Sequence, residues 1–330
     1  MSSDHARYAR ERAVAIEAAR EAARLCVRVQ RSRVLGAPLV KGDRSPVTVA
    51  DFGSQALVCR RLVREFPGDS IMGEEDASEL RRRDRTAIAD AVRVEVAREV
   101  PGSSREEVLD WIDRAGCAGG LGRFWALDPI DGTKGFLRGE QYAVALALLD
   151  GGEVQLGALA CPNLRSSGSS GCILVAVRGG GAELLPLEGG PPSRARASPA
   201  DDPRTARILE SVEAAHGDLA ANERIRRRLG VATAGVRLDS QAKYAVLARG
   251  DAEIYLRLPS SADYRENVWD HAAGAVVIEE AGGRVTDVDG RPLDFGAGRK
   301  LVRNRGIVAS NGRLHEPFLA ALRELRDGIA

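Results

Sequence analysis

The sequence lacks any long apolar run. No stretch of about 18 consecutive apolar residues occurs, and the first residues, MSSDHARYARERAV, are charged without an apolar centre. A transmembrane helix and a secretory signal peptide both need such a run. We therefore predict that the chain neither crosses a membrane nor carries a secretory signal.

Neither sign of charge is in excess, and the cysteines show no metal-binding or disulfide pattern. The 48 lysines and arginines nearly balance the 47 aspartates and glutamates, for a net charge of +1. This balance argues against a nucleic-acid polymer as a partner, so any anion must be bound by a local site. The five cysteines are scattered without a C-x-x-C pair, which argues against a zinc ribbon and for a reducing compartment. We expect a monomeric cytoplasmic protein.

Length and pattern predict two domains. A chain of 330 residues exceeds the roughly 100–200 residues of one ordinary domain. In the first half, apolar residues recur at helical spacing over 11–31 and 51–65, and 78–116 has the charge density of one or two surface helices. Strand-like runs joined by short turns such as LLDGGEV predict an antiparallel sheet. The predicted strands are 69–76, 123–128, 142–149, 153–160 and 172–178.

The second half has a different pattern. Residues 187–203 are rich in Pro, Gly, Ser and Arg, which predicts a linker or long loop. Beyond this segment, strand and helix signals alternate, as is typical of a layered α/β domain. The predicted strands are 205–211, 252–258, 284–288 and 306–310, and the predicted helices are 217–230, 240–250 and 270–283.

The segment FWALDPIDGTKGF, residues 124–136, carries the strongest chemical signal. Asp128 and Asp131 follow an apolar strand, and Pro129 between them stiffens the turn. Carboxylates that converge on one point repel one another unless a cation lies among them, and oxygen ligands alone favour Mg²⁺ or Ca²⁺ over zinc. The amides of Gly132 and Thr133, with the Thr133 hydroxyl, would then meet a phosphate oxygen. The segment therefore predicts a metal beside a phosphate.

Three further acidic features lie at predicted boundaries of structure. They are Asp51 at the end of SPVTVAD, the turn GEED at 73–76, and Asp270 in NVWDHAAG. Each acidic feature has an ordinary structural alternative, because aspartate commonly caps helices, Asp-Gly commonly forms turns, and an acidic loop can simply be solvated. Their occurrence together with Asp128 and Asp131 favours the metal site.

These motifs carry a family resemblance. In their sequence order, GEED, DPIDGTKGF and WDHAAGAVVIEEAGG resemble the lithium-sensitive, magnesium-dependent phosphatases of the inositol monophosphatase superfamily. Within it, KGDRSPVTVADFGSQ, GTKGF followed by RGEQYAV, and DSQAKYAVLARGDAEIYLRLP are most similar to the 3'(2'),5'-bisphosphate nucleotidases. Inositol phosphatases usually carry GTxNF at the position of GTKGF. The resemblance spans nearly the whole chain and is weakest at 77–122 and 186–206.

The resemblance implies roles for individual residues. Glu74, Asp128, Asp131 and Asp270, with the carbonyl of Ile130, would hold two or three Mg²⁺ ions. Asp51 would accept the proton of the attacking water, helped by Thr133. The implied substrate-binding residues are Gly132, Thr133, His216, Ser240, Lys243, Arg257 and Asp270. A capping serine and a solvated lysine are the ordinary alternative for Ser240 and Lys243, although the first turn of a helix also favours an anion.

The implied activity is Mg²⁺-dependent hydrolysis of the 3'-phosphate of adenosine 3',5'-bisphosphate to AMP and phosphate. The family also accepts 3'-phosphoadenylyl sulfate, which implies a place in sulfur metabolism and inhibition by Li⁺. The implied fold is the layered αβαβα sugar-phosphatase fold, with an antiparallel-sheet α+β domain at 1–188 and a smaller α/β domain at 189–330. Two alternatives stay open, namely an inositol-phosphate phosphatase and a non-catalytic nucleotide or metal sensor.

Overall fold

The computed structural model describes residues 7–32, 39–40, 46–165, 171–213, 218–259, 261 and 263–328. Within these ranges, no helix combines the length and the apolar character that a bilayer span requires. The elements of the first part are α1 (Ala9–Ser32), β1 (Leu39–Val40), β2 (Pro46–Val47), α2 (Val49–Glu65), β3 (Ser70–Gly73), α3 (Thr86–Ala97), α4 (Arg105–Asp113), β4 (Phe124–Asp131), α5 (Thr133–Arg138), β5 (Ala143–Asp150), β6 (Glu153–Cys161), β7 (Cys172–Val177), β8 (Gly181–Pro186) and β9 (Ser193–Ala195).

The larger sheet confirms the predicted antiparallel arrangement. Its strand order is β3-β4-β5-β6-β7-β8-β9, and every neighbouring pair is antiparallel except β3 and β4. The segment predicted as a linker or long loop, 187–203, is not entirely a loop, because β9 lies inside it and pairs with β8. A three-residue edge strand between Pro- and Gly-rich flanks is too short to leave a period-two pattern.

The second sheet is smaller and mixed. Its elements are β10 (Ile208–Glu210), α6 (Leu219–Leu229), β11 (Val236–Arg237), α7 (Ala242–Ala248), β12 (Ile254–Arg257), α8 (Ala272–Glu280), β13 (Arg284–Thr286), β14 (Ile307–Ser310) and α9 (His315–Arg326). The strand order is β11-β10-β12-β14-β13, with β10 parallel to both of its neighbours and the other pairs antiparallel. The alternation of strands and helices predicted for this part is confirmed.

Side-chain alternation on the strands stacks the elements into five layers. On β5, Val144 and Leu146 belong to the core shared with α1 and α2, whereas Ala143 and Ala145 belong to the core shared with α7 and α8. On the second sheet, Leu209 and Tyr255 face α7 and α8, while other strand residues pack on α6 and α9. The layers are therefore α1/α2, large sheet, α7/α8, small sheet and α6/α9. This arrangement is the αβαβα fold that the resemblance implied.

Small residues let the central helix layer lie close to the large sheet. A Cβ on Gly157 of β6 would lie 2.6 Å from the carbonyl oxygen of Ala273 on α8. The N-terminal ends of α7 and α8 and the ends of β3, β4 and β12 are consequently brought to one place, where the candidate site lies.

Candidate active site

A cavity of about 510 Å³ lies where residues from both sheets meet. Most of the residues that the sequence singled out line this cavity together, although they come from five separate segments of the chain. These residues are Glu74, Asp128, Ile130, Asp131, Gly132, Thr133, Ser240, Lys243, Arg257 and Asp270. His216 lies in the segment 214–217, outside the described residues.

The end of β4 presents the two acids of the DPIDGT segment. The pairing of β4 with β5 is irregular between Asp128 and Asp131, and the Ser54 hydroxyl donates to the carbonyl of Pro129 at 2.8 Å. Gly132 then adopts a φ of +87°, and a Cβ there would lie 2.9 Å from the Cβ of Ser240. Glycine is therefore required both for the left-handed turn and for the close approach of the α7 segment.

Asp51 lies behind Thr133 and is fixed from two sides. Its Oδ2 accepts hydrogen bonds from the Thr48 amide (2.8 Å) and hydroxyl (2.6 Å), which forms a capping box at the start of α2. Its Oδ1 lies 3.2 Å from Thr133 Oγ1. Thr133 lines the cavity, whereas Asp51 is only 1% exposed. The geometry connects a buried carboxylate to the cavity through one hydroxyl group.

The GEED turn is held by a buried amide side chain. Gln55 of α2 donates from Nε2 to the carbonyl of Glu75 at 2.5 Å, and its Oε1 accepts from the Glu75 amide at 3.1 Å. This pair of bonds fixes the peptides that follow Glu74, whose side chain lines the cavity. No motif in the sequence predicted this contact between Gln55 and Glu75.

The acids of the cavity are in an environment that disfavours their charge. Burial raises the pKa of Asp131, although Lys243 and the Gln241 amide oppose this shift. Burial also raises the pKa of Asp270 well above its ordinary value, and the neighbouring Asp131 and Glu74 carboxylates add to the rise. Oxygen ligands that repel one another suit a hard divalent cation such as Mg²⁺, which would relieve that repulsion.

A second buried group surrounds Arg257 at the end of β12. Arg257 Nε lies 2.9 Å from Glu266 Oε1, and its Nη2 lies 2.8 Å from Oε2, so the pair is bidentate. Burial opposes the ionisation of Glu266, but Arg257 and a hydrogen bond from His271 hold its pKa at about 2. His271 Nδ1 in turn lies 2.9 Å from the Tyr244 hydroxyl. Glu266 and Tyr244 were not recognised in the sequence, because no local spacing connects them.

Glu266, Asp270 and His271 also form a compact set of possible metal ligands. Across the described residues, this is the one group of three such side chains whose ligand atoms all lie within 4.8 Å of one another. Glu266 already pairs with Arg257 through both of its oxygens, so a cation there would have to displace the partly buried guanidinium. We therefore interpret this group as a network that orients Arg257.

Lys243 is buried beside the carboxylates. Its Nζ donates to the carbonyl of Leu238 at 3.0 Å and lies 5.0 Å from the centre of the Tyr255 ring. Burial lowers its pKa to about 8, and the nearby Asp131 carboxylate works against this shift. The structure thus excludes the solvated alternative for Lys243, since the residue is only 3% exposed.

The chain turns sharply just before α7. Ser240 has a φ of +66°, and it is the one non-glycine residue in the described ranges with a positive φ. This turn brings the Gln241 amide within 2.6 Å of Asp131 Oδ2, and the Gln241 side chain donates to the carbonyl of Trp269 at 2.9 Å. Gln241 therefore connects the carboxylate on β4 with the segment that carries Asp270.

The chain is similar in sequence to known proteins of one family. Residues 7–327 match the model of the inositol monophosphatase family. The chain is 41% identical to a 3'(2'),5'-bisphosphate nucleotidase of Emericella nidulans, over 96% of this chain and 99% of that protein. It is 45% identical to a 3'(2'),5'-bisphosphate nucleotidase of Oryza sativa, over 96% of this chain and 94% of that protein.

Solved structures support the fold. An IMPase of Thermotoga maritima superposes with a TM-score of 0.64 at 21% identity, over 96% of this chain and 97% of that chain. The extragenic suppressor protein suhB of Bartonella henselae superposes with a TM-score of 0.66 at 21% identity, over 94% and 97%.

Proposed function

The chain belongs to the inositol monophosphatase family, and from this premise we propose that it hydrolyses the 3'-phosphate of adenosine 3',5'-bisphosphate to AMP and phosphate. The observation that carries the proposal is a cavity that combines a carboxylate cluster with two cationic side chains, the buried Lys243 and the partly buried Arg257. A substrate with two phosphates would engage both. We extend the proposal to 3'-phosphoadenylyl sulfate and a place in sulfur metabolism.

Glu74, Asp128, Asp131 and Asp270, with the Ile130 carbonyl, would hold Mg²⁺. No three of these four acids, all within the described residues, bring their oxygens within 4.8 Å of one another. We propose that two or three ions share these acids. When bound, such ions acidify a water molecule and neutralise charge on the phosphoryl and leaving oxygens.

Asp51 and Thr133 are proposed to take the proton of the attacking water. Thr133 lines the cavity, and its hydroxyl donates to Asp51 Oδ1 at 3.2 Å, so a proton taken from water at Thr133 would pass to that carboxylate. The Thr48 amide and hydroxyl hold the other Asp51 oxygen and keep the acceptor oriented. Gly132 and Thr133 present backbone amides where the phosphoryl oxygens would lie.

Ser240, Lys243, Arg257 and His216 are proposed to bind the rest of the nucleotide. Arg257 is held by Glu266 in one orientation, which supports recognition of a second phosphate because little side-chain freedom would be lost on binding. Lys243 supplies a cation in a dry environment, where its interaction with an anion is strengthened.

A phosphate-release screen tests the function. Purified protein is incubated with adenosine 3',5'-bisphosphate, 3'-phosphoadenylyl sulfate, inositol monophosphates and sugar phosphates, each with Mg²⁺, with EDTA, and with Mg²⁺ plus Li⁺. We expect release from the bisphosphate nucleotide that needs Mg²⁺ and is suppressed by Li⁺. Preference for inositol phosphates would favour the inositol-phosphate phosphatase, and nucleotide binding without release would favour a sensor.

We further propose a monomeric cytoplasmic protein whose two domains divide at 188/189. The short strand β9 at Ser193–Ala195 still pairs with the large sheet, so the chain leaves that sheet just after the proposed boundary. Light scattering of the purified protein tests the monomer, and fractionation of cells tests the location. Limited proteolysis, with cleavage expected between 187 and 206, tests the division.

A further inference from the structure

We propose that Arg299 is a positioning residue that keeps the segments of Glu74 and Asp270 in a fixed relation, and that it thereby sets the affinity of the site for Mg²⁺. No motif in the sequence marked Arg299, and it does not line the cavity, as far as the described residues show. The inference rests on the proposed roles of Glu74 and Asp270 as metal ligands.

Arg299 contacts three separate segments of the chain. Its Nη2 donates to the carbonyl of Gly73 at 2.6 Å, and its Nη1 donates to the carbonyl of Cys117 at 2.9 Å. The guanidinium carbon lies 4.6 Å from the centre of the Trp269 ring. Gly73 directly precedes Glu74 and Trp269 directly precedes Asp270, so a single side chain touches the neighbours of two proposed ligands.

The backbone around Arg299 strengthens this connection. The Val268 amide donates to the Arg299 carbonyl at 3.0 Å, which aligns residues 266–268 with 299–301. On the other side, Gln55 binds the amide and carbonyl of Glu75, while Arg299 binds the carbonyl of Gly73. The peptides before and after Glu74 are therefore both held, each by a different side chain.

The contacts require an arginine. The planar guanidinium donates two hydrogen bonds to carbonyls on different segments while it lies over an indole ring. A lysine ammonium keeps the charge but has no flat face and cannot hold the same fork. Burial lowers the pKa of Arg299, but an arginine starts so far above neutral pH that it remains a cation.

The experiment measures Mg²⁺ binding in the absence of substrate. Isothermal titration calorimetry is performed on the wild type, Arg299→Lys, Arg299→Met and the control Arg303→Met, with melting curves in EDTA and in Mg²⁺. Arg303 lies on the same segment, but its side chain is 73% exposed and pairs only with Asp294 among the described residues. We expect Arg299→Lys to bind Mg²⁺ roughly 10- to 100-fold more weakly, as is usual for groups that orient metal ligands.

The proposal also predicts rescue. Arg299 does not touch the reacting atoms, so saturating Mg²⁺ should restore the kcat of Arg299→Lys, while Arg303→Met should match the wild type in Mg²⁺ affinity. A folded Arg299→Lys variant with wild-type Mg²⁺ affinity would overturn the proposal, and so would a lowered melting temperature with unchanged Mg²⁺ binding. If Arg299→Met does not fold, the Mg²⁺ affinity of Arg299→Lys still tests the proposal.

Glu74→Gln separates this inference from the proposed ligand set. If Glu74→Gln weakens Mg²⁺ binding and Arg299→Lys does not, only the role of Arg299 is wrong. If Glu74→Gln also binds Mg²⁺ like the wild type, the ligand assignment beneath the proposal is wrong as well.

Discussion

The cavity has two walls that are built in opposite ways. We call Glu74, Asp128, Asp131 and Asp270 the carboxylate wall, and Ser240, Lys243 and Arg257 the cationic wall. In the carboxylate wall, burial raises the pKa of Asp131 and of Asp270, and for Asp270 the neighbouring Asp131 and Glu74 carboxylates add to the rise. In the cationic wall, Arg257 is paired with Glu266, and Lys243 is held by a carbonyl and an aromatic ring.

This difference indicates what each wall does. The carboxylate wall holds like charges that disfavour one another, so it gains from an ion that comes from outside the chain. The cationic wall is already held by protein partners, so it would meet an anionic group with positive charge in a fixed orientation. Substitutions in the first wall should therefore act on turnover, and substitutions in the second should act on the choice of substrate.

The largest effect is expected from Asp131→Asn. The loss of a charged ligand removes several kcal/mol of transition-state stabilisation, so kcat should fall roughly a thousand-fold or more. The pKa of Asp131 is raised, so its ionised form is disfavoured in the metal-free fold. The free energy of unfolding in EDTA should therefore fall as the pH rises above the ordinary aspartate range. Asp131→Asn should consequently melt no lower than the wild type in EDTA at pH 7. Near-normal turnover would refute the carboxylate wall.

A smaller but still steep loss is expected from Asp51→Asn. General-base catalysis contributes about 100- to 10,000-fold, so kcat should fall within that range while KM changes little. Because Asp51 also closes a capping box, Glu107→Gln serves as the matched control. Glu107 accepts from the Ser104 amide and hydroxyl in the same geometry, at the exposed start of α4. Equal stability losses in both variants, with lost turnover only in Asp51→Asn, would separate catalysis from capping.

Lys243→Met should alter substrate choice more than rate. Hydrogen bonds to charged groups contribute about 1.5–3 kcal/mol, so the KM for adenosine 3',5'-bisphosphate should rise roughly ten- to a hundredfold. The KM for a nucleoside 3'-monophosphate should change much less. Comparable losses for both substrates would show that Lys243 does not contact the second phosphate.

The pH dependence gives a second readout for Lys243. Burial lowers its pKa to about 8, so in the free enzyme the lysine charge is present below that pH and lost above it. We expect kcat/KM for the bisphosphate to decline between pH 7 and 9 in the wild type. That part of the decline should disappear in Lys243→Met.

The smallest effect concerns Ser240. A left-handed conformation costs a residue with a Cβ roughly 1 kcal/mol, and glycine avoids this cost. Ser240→Gly and Ser240→Ala both remove the hydroxyl that accepts from the Ala242 amide. Ser240→Gly should therefore be more stable than Ser240→Ala by about 1 kcal/mol in urea unfolding. Equal free energies of unfolding for Ser240→Gly and Ser240→Ala would mean that the backbone at residue 240 leaves the left-handed conformation in the alanine variant.

The carboxylate wall was easier to predict from the sequence than the supporting residues Gln55, Glu266 and Arg299. Asp128, Asp131, Gly132 and Thr133 lie within six residues, so one strand and its turn place them together whatever the rest of the chain does. The predictions of one or two helices within 78–116 and of a helix at 11–31 were also confirmed, because helical spacing is a local pattern. Strand β9 was missed because three residues at a sheet edge carry too little pattern.

The contacts of these supporting residues could not be predicted, because no local pattern in the sequence connects the residues that meet. Gln55 contacts Glu75, 20 residues away, and Arg299 contacts Gly73, 226 residues away, while Glu266 pairs with Arg257 across nine residues that carry no periodic pattern. Each is an ordinary polar residue in the sequence, and its function arises only from what lies opposite it.

The sequence by itself predicted a cluster of acidic residues beside a Gly-Thr turn as a candidate metal and phosphate site, and it predicted much of the order of helices and strands. Those properties depend on neighbouring residues and on periodicity, which a linear chain displays directly. Only the tertiary structure decided that Lys243 is buried, that Arg257 is paired with Glu266, and that Arg299 lies behind both ligand segments. Burial and pairing depend on which distant side chains share a space, and that is set when the five layers pack.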